Sequence, residues 1–170
     1  REPLKYYQVN VGGTLNLLKH MHEYGCKNIV FSSTACVYAP LGEPMKETSP
    51  LRPYNPYGET KLVIENIIRT TGFNYKILRF FNPFGCHSSG KILNNSLRNN
   101  TSLMTNILEH INGKLEKLTI YGDGTAIRDY IHVVDLASAH VNVLNHPEPI
   151  IVNIGTGQGV ALNDMIACFN

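Results

Sequence analysis

Short apolar runs alternate along this chain with longer segments in which apolar residues recur at helical spacing. Strands are predicted at "NIVFSS", "YKILRFF", "KLTIYG" and "IIVNIG", because these runs are brief and rich in branched or aromatic residues. Helices are predicted over about 4–24, from Pro56 through "KLVIENIIRT", over about 102–112, over 135–144 and from Leu162. The buried stripe of the first helix is predicted to comprise Val9, Gly13, Leu17, Met21 and Tyr24, with close packing at Gly13.

The alternation of strands with long helices predicts an α/β fold whose sheet is doubly wound, mostly parallel and of the Rossmann type. In such folds ligands bind at loops that follow the carboxyl ends of strands. Two long polar loops follow "NIVFSS" and "YKILRFF", and both exceed the usual length of a connection. We therefore expect function to be concentrated in these loops.

The segment "NPYGETK" starts the second predicted helix and carries an unusual pair of residues. Asn55 suits the capping position and Pro56 the first turn. Residues four apart are neighbours on a helix, so Tyr57 and Lys61 face the same way. Their face continues into Ile64 and Ile68, which should be buried. A lysine there is costly to desolvate, which indicates a chemical use for it.

Composition excludes several classes of function. The 170 residues are 43% hydrophobic and 16% charged, and the net charge of +2 is too small to favour nucleic acid or a membrane surface. The four cysteines form no metal-ligand spacing, so we expect no metal and a reducing, cytoplasmic location. Glycosylation patterns begin at Asn94, Asn99 and Asn100, which keeps a secreted location as an alternative.

A hydroxyl cluster, Tyr57 with Lys61, and Asn82 together suggest proton chemistry. The cluster Ser32-Ser33-Thr34 ends the first predicted strand, and Asn82 follows the second. A phenol is a poor base at neutral pH, but an ammonium one turn away lowers its pKa. Tyr57 can then take a proton from a substrate hydroxyl while Thr34 positions the same oxygen.

These residues lie in a set of motifs that resembles the extended short-chain dehydrogenases/reductases acting on nucleotide sugars, and among them the 4-epimerase branch. The matching segments, in the order of that family, are "NVGGTLNLL", "NIVFSSTACVYA", "RPYNPYGETK", "ILRFFNPFG", "IYGDGTAIRDYIHVVDLASAH" and "VNIGTGQG". A Tyr-x-x-x-Lys pair alone is a weak signal, whereas the ordered set covers nearly the whole chain.

The resemblance implies an isomerase that interconverts UDP-glucose and UDP-galactose by transient oxidation at C4. It implies Tyr57 as general base, Lys61 as the residue that tunes it and binds the nicotinamide ribose, and Thr34 as the residue that positions the substrate. Positions near an NAD cofactor are implied for Asn10, Thr34, Tyr57, Lys61 and Phe81. Positions around the UDP-sugar are implied for Thr34, Tyr57, Asn82, Ser102, Leu103, Thr119, Ile120, Tyr121 and Arg128.

The same resemblance implies that residues 1–83 are the carboxy-terminal part of an NAD-binding Rossmann domain. Residues 84–170 would then mix sugar-nucleotide-binding segments with the last Rossmann strand, and a homodimer is implied for the full-length protein. Some features depart from the family pattern. The glycine-rich turn and its first strand–helix unit are absent from this sequence, the loop before Arg128 is short, and Ser102 stands where Asn is usual.

Two rival functions stay open. A 4,6-dehydratase or decarboxylase of the same fold is disfavoured, because dehydratases usually carry Asp-Glu directly after the threonine and this chain has Ala35-Cys36. An inactive remnant or nucleotide sensor is the non-enzymatic alternative. Individual residues also have plain structural readings: Arg128 as an ion-pair partner of Asp129 or Asp135, and Asn10 as a hydrogen-bond partner of a neighbouring element.

Overall fold

The computed structural model describes residues 2–40, 42–89 and 103–169. The predicted site residue Ser102 lies outside these ranges. The chain divides into two compact units. Unit 1 contains residues up to Phe80 together with Ser138–Ile154, and unit 2 contains Phe81–Ala137 together with the residues from Gly155 onward.

Unit 1 is built on a parallel sheet with strand order β1-β2-β6. Strand β1 spans Asn28–Thr34, β2 spans Asn74–Phe80 and β6 spans Ile150–Ile154. Thr34 pairs with Phe80 in the register of β1 and β2, and Phe80 pairs with Ile154 in that of β2 and β6. The three strands therefore end together, and all three were predicted from their apolar runs.

The first helical region departs from the prediction. It consists of α1 (Pro3–Tyr6), a π-helical segment (Tyr7–Gly12) and α2 (Gly13–Glu23). The predicted stripe is correct at Met21 but wrong at Val9, Leu17 and Tyr24, which are exposed, while Leu18 is buried in the core. Val11 and Met21 pack against that core, and a Cβ at Gly13 would contact nothing. The wide π turn adds a residue to the helical repeat, which breaks a stripe counted through it.

Helix α3 spans Pro56–Thr70 and is confirmed in position and in its buried face. Ile64 and Ile68 are almost fully buried and form a cluster with Leu18, Ile29 and Phe73. Because Asn55 caps the helix and Pro56 fills its first position, the helix begins where the sequence predicts. Burial of this stripe against β1 and α2 fixes which way α3 faces.

The described residues of unit 2 form two small sheets. Strand β3 (Asn82–Phe84) pairs in parallel with β5 (Tyr130–His132), and β4 (Ile127–Arg128) pairs antiparallel with β7 (Val160–Ala161). Helices α4 (Leu103–Ile111), α5 (Val133–Leu144) and α6 (Leu162–Ala167) agree with the predicted positions, and α5 passes from unit 2 into unit 1.

The predicted strand at "KLTIYG" is wrong, because residues 117–122 are irregular and form no strand pairing. Its alternating residues suit a strand, but Thr119 is exposed and Tyr121 is 95% exposed. The predicted loop "DGTAIRDYIHVV" instead contains the short strands β4 and β5 and the start of α5. Among the described residues, no helix has the length and apolar character needed to cross a membrane.

Candidate active site

Tyr57 stands in the first turn of α3 and is 37% exposed. The turn is held by the Asn55 side chain, whose Oδ1 accepts a hydrogen bond from the Gly58 N–H at 2.8 Å. A Cβ at position 58 would collide with the backbone carbonyl of Cys36, in the 3₁₀ turn Ala35–Val37 that follows β1. Glycine therefore lets the start of α3 approach the end of β1.

Thr34, the last residue of β1, lies beside this turn and is buried. Its Oγ1 accepts a hydrogen bond from the Cys36 N–H at 3.2 Å. Burial raises the pKa of the Tyr57 phenol, and the neighbouring Cys36 thiol raises it further. A side-chain hydrogen bond with Thr34 acts in the opposite direction and lowers that pKa. The Thr34 hydroxyl is therefore near enough to the Tyr57 phenol to act on its pKa.

Lys61 lies one turn further along α3. Its Nζ donates to the Ser32 carbonyl at 2.9 Å and lies 5.7 Å from the centroid of the Tyr57 ring and 4.9 Å from that of Phe31. Burial lowers the pKa of this ammonium. The expected lowering of the Tyr57 pKa by Lys61 is not found: the phenol pKa is raised, chiefly by burial, and Lys61 is not among the groups that act on it.

Asn10 is connected by hydrogen bonds to the first turn of α3. Its Nδ2 donates to Thr60 Oγ1 at 3.0 Å, and the Thr60 hydroxyl donates to the Tyr57 carbonyl at 2.8 Å. Thr60 is fully buried. The π-helical segment is therefore connected through two hydrogen bonds to the backbone of Tyr57, which agrees with the plain structural reading of Asn10.

Sequence reasoning missed a buried polar network one turn beyond Lys61. Glu65 is 1% exposed and accepts two hydrogen bonds from Arg79, from Nε at 3.1 Å and from Nη2 at 2.6 Å. Ser33 also donates to the Glu65 carboxylate. Arg79 Nη1 donates to the Tyr38 hydroxyl at 2.9 Å, and that hydroxyl donates to Asn153 Oδ1 at 2.6 Å. The i, i+4 spacing of Lys61 and Glu65 was the local signal available.

Asn82, a sequence-predicted residue of unit 2, belongs to a second polar arrangement. The backbone and side-chain N–H groups of Asn82 both donate to the Asp129 carbonyl at 3.0 Å. The Asp129 carboxylate accepts from the Thr156 N–H and hydroxyl and from the Gly157 N–H, at 2.8–2.9 Å. Asp129 therefore organises this part of unit 2, a role that sequence reasoning did not assign.

Arg128 is exposed in β4, and its Nη1 donates to the Ile127 carbonyl at 2.8 Å. Within the described residues no salt bridge joins it to Asp129 or Asp135, so the ion-pair alternative is not formed. The remaining predicted positions in unit 2 are partly or fully exposed: Phe81, Leu103, Thr119, Ile120 and Tyr121. Nothing in their own surroundings conflicts with ligand contact.

Comparison with known proteins assigns the chain to a family. The profile of the NAD dependent epimerase/dehydratase family matches residues 1–155. The chain belongs to this family. Among similar members, the UDP-glucose 4-epimerase of Bacillus subtilis (strain 168) is 45% identical over 185 residues, covering 98% of this chain and 54% of that protein. UDP-glucose 4-epimerase 2 of Arabidopsis thaliana is 43% identical, covering 99% of this chain and 53% of that protein.

A solved structure of another member has the same fold. The UDP-glucose 4-epimerase from Bifidobacterium longum, crystallised with NAD+ and UDP, superposes with a TM-score of 0.86 at 37% identity. The match covers 97% of this chain and 54% of that one, so the epimerase-family chain described here spans about half the length of the relatives it matches. The likeness confirms the predicted Rossmann-type α/β class.

Proposed function

We propose that this chain is part of a nucleotide-sugar 4-epimerase that interconverts UDP-glucose and UDP-galactose by transient oxidation at C4. The observation that carries the proposal is the start of α3, where burial and the Thr34 hydroxyl act on the pKa of the Tyr57 phenol and the Lys61 Nζ lies 5.7 Å from the centroid of the Tyr57 ring. Relatives at 43–45% identity are named UDP-glucose 4-epimerases, which supports the same reaction.

The residues around Tyr57 fit a nicotinamide dinucleotide. An ammonium has three N–H donors, and within the described chain Lys61 Nζ spends one of them, on Ser32 O. Donors remain for ribose hydroxyls, and the exposed fraction of Tyr57 leaves its phenol open to a ligand. When bound, NAD+ supplies the hydride acceptor and donor for C4 and a positive charge beside the phenol. Asn10 and Phe81 are further proposed cofactor positions.

The chain's own residues handle the proton. Tyr57 Oη takes the proton of the sugar 4-hydroxyl and later returns it, so one base serves both directions. Thr34 hydrogen-bonds the same sugar oxygen and holds it in line with the phenol. Burial raises the phenol pKa, so we assign the stabilisation of the phenolate in the complete enzyme to the Lys61 charge together with that of the bound nicotinamide.

The uridine diphosphate is assigned to residues of unit 2. Arg128 is proposed to pair with a pyrophosphate oxygen, a contact suited to its rigid guanidinium. Tyr121 is proposed to stack on uracil, since an aromatic ring that is 95% exposed has its faces available. Asn82, Leu103, Thr119 and Ile120 complete the proposed set, and Ser102 is assigned to it on sequence alone.

Dehydration is the disfavoured rival, because Ala35 and Cys36 follow Thr34 and cannot supply the extra carboxylic acid and base. We further propose a cytoplasmic location and a homodimer for the complete polypeptide. The location follows from the cysteine pattern, and the homodimer follows from the family resemblance.

The test uses the complete polypeptide that carries this sequence. Incubated with UDP-galactose and NAD+, it is expected to form UDP-glucose, measured by proton NMR. Tyr57→Phe removes the phenolic proton carrier and should lower kcat by at least about 100-fold, the usual contribution of a positioned acid–base group. Tyr24→Phe, at a ring that is 85% exposed, is the matched control and should keep parental activity. Equal rates for parent and Tyr57→Phe would reject this assignment.

A further inference from the structure

The network around Glu65 lies next to the proposed acid–base pair but takes no part in the chemistry described above. Tyr57, Lys61 and Glu65 follow one another at four-residue spacing on α3. Ser33, which donates to Glu65, immediately precedes Thr34 in β1. The strand end that carries Thr34 is therefore attached to the helix that carries Tyr57, through the neighbouring side chain.

A second attachment holds the chain on the other side of Thr34. Tyr38 follows the 3₁₀ turn that begins after Thr34, and it is fully buried. Its hydroxyl accepts from Arg79 Nη1 and donates to Asn153 Oδ1. Arg79 in turn donates hydrogen bonds to both carboxylate oxygens of Glu65. Thr34 thus lies between two residues of one network, both connected to α3 through Glu65.

Stability alone is a weak reason to keep such a network. The Arg79–Glu65 pair is dry, with side chains 3% and 1% exposed. A buried ion pair gains little over apolar packing of the same volume, because desolvation cancels much of the attraction. What a two-point guanidinium–carboxylate contact provides is a fixed orientation. Fixed orientation is what a hydroxyl pair needs for proton transfer through short, linear hydrogen bonds.

We propose that Glu65, Arg79, Tyr38 and Ser33 are positioning residues that hold the Thr34 hydroxyl against the Tyr57 phenol. The inference rests on the proposed epimerase function and extends it to residues that need not touch the substrate. Removing hydrogen bonds from this network should slow the chemical step. Binding of the nucleotide, which uses other residues, should be kept.

The test compares two small substitutions with a matched apolar one in the complete polypeptide. Tyr38→Phe and Ser33→Ala each delete one hydroxyl of the network, and Ile68→Val trims the same helix in the buried core without touching a polar group. Each is assayed with UDP-galactose and NAD+ at a temperature well below its melting midpoint, measured by circular dichroism. We expect kcat to fall at least 10-fold for both hydroxyl deletions with KM within 2-fold, and parental kcat for Ile68→Val.

Parental kcat in folded Tyr38→Phe and Ser33→Ala would overturn the inference, as would an equal loss in Ile68→Val. A second readout separates this result from a failure of the proposed function. The phenol of Tyr57 is titrated by ultraviolet absorption, each protein being compared with its own Tyr57→Phe derivative. Loss of the Thr34 contact should raise the Tyr57 pKa in Ser33→Ala. If the parent epimerises nothing, the proposed function fails, and an unchanged Tyr57 pKa then overturns the positioning role independently.

Discussion

Gly58 shows how one missing side chain sets the geometry around Tyr57. In a helix, alanine is ordinarily favoured over glycine by about 1 kcal/mol. At position 58 the added Cβ would meet the Cys36 carbonyl, which is backbone and cannot swing away. The close approach of α3 to the end of β1 therefore requires glycine.

Gly58→Ala is expected to lower the free energy of unfolding by about 1–3 kcal/mol, the usual cost of overpacking. Gly13→Ala in α2 is the matched control, because its Cβ would contact nothing and the backbone is already helical. That variant should be more stable by about 0.5–1 kcal/mol. Urea unfolding of both variants measures the difference. A stabilised Gly58→Ala would show that the start of α3 does not depend on this approach.

Residues close in sequence were easier to predict than residues that meet through the fold. The Tyr57–Lys61 pair follows from helical spacing, and Thr34 from its place at a strand end. Glu65 shares that spacing, but its partner Arg79 is on β2, and Tyr38 meets Asn153 across 115 positions of sequence. Such contacts depend on strand order, which periodicity does not reveal. The raised pKa of Tyr57 likewise depends on burial, which the sequence did not quantify.

At the scale of elements, hydrogen bonds that include one to Glu47 attach the segment between β1 and α3 to strand β6. Glu47 accepts a hydrogen bond from the Asn153 N–H at 2.9 Å, and Asn153 Nδ2 donates to the Met45 carbonyl at 3.0 Å. The hydrogen bond from the Asn153 backbone is the main cause that lowers the Glu47 pKa from its ordinary value of 4.5. The connection therefore depends on pH.

Glu47→Gln is expected to reduce stability at neutral pH and to make little difference in strong acid. The native carboxylate binds its proton less tightly than the unfolded one, so its stabilisation is complete above the unfolded pKa of 4.5 and is lost as pH falls through the lower native value. Urea unfolding from pH 7 to pH 3 measures the difference in the free energy of unfolding between parent and variant. A difference that stays constant over this range would refute the connection between this hydrogen bond and acid sensitivity.

Element boundaries were predicted well where burial is strong and poorly where it is weak. Strands β1 and β2 contain buried residues and β6 is partly buried, all three pair along their length, and their apolar runs identify them. Residues 117–122 carry a similar alternation but have no strand partner, so the pattern there has no structural consequence. In the first helical region Met21 packs against the core as predicted, but Leu18 rather than Leu17 is buried beside it. Both leucines are apolar, so apolar spacing does not distinguish them.

At the scale of the whole molecule, several large apolar side chains of the first helical region face solvent. Leu4 is 77% exposed, Val9 63% and Leu17 54%. Single exposed apolar residues are ordinary, but a series of them along one helical region is typical of a surface that another protein surface covers. The 170-residue chain expressed by itself should therefore self-associate.

Light scattering during size-exclusion chromatography at increasing concentration measures this association. The variant Leu4→Lys, Val9→Lys, Leu17→Lys replaces exposed apolar groups with charges and should shift the chain toward a monomer. Lysine at Thr71, an exposed position at the end of α3, is the control and should leave association as in the parent. A parent that stays monomeric at all concentrations would contradict the prediction.

The discontinuous make-up of unit 1 has a consequence for biosynthesis. Strand β2 ends at Phe80, but its neighbour β6 begins only at Ile150 and carries Asn153, the last partner of Tyr38. When strands β1 and β2 have been synthesised, strand β6, which pairs with β2, is therefore still untranslated. Domains generally fold as units during synthesis, and this one must wait for its late segment. Nascent chains halted before Ile150 should be favoured clients of chaperones.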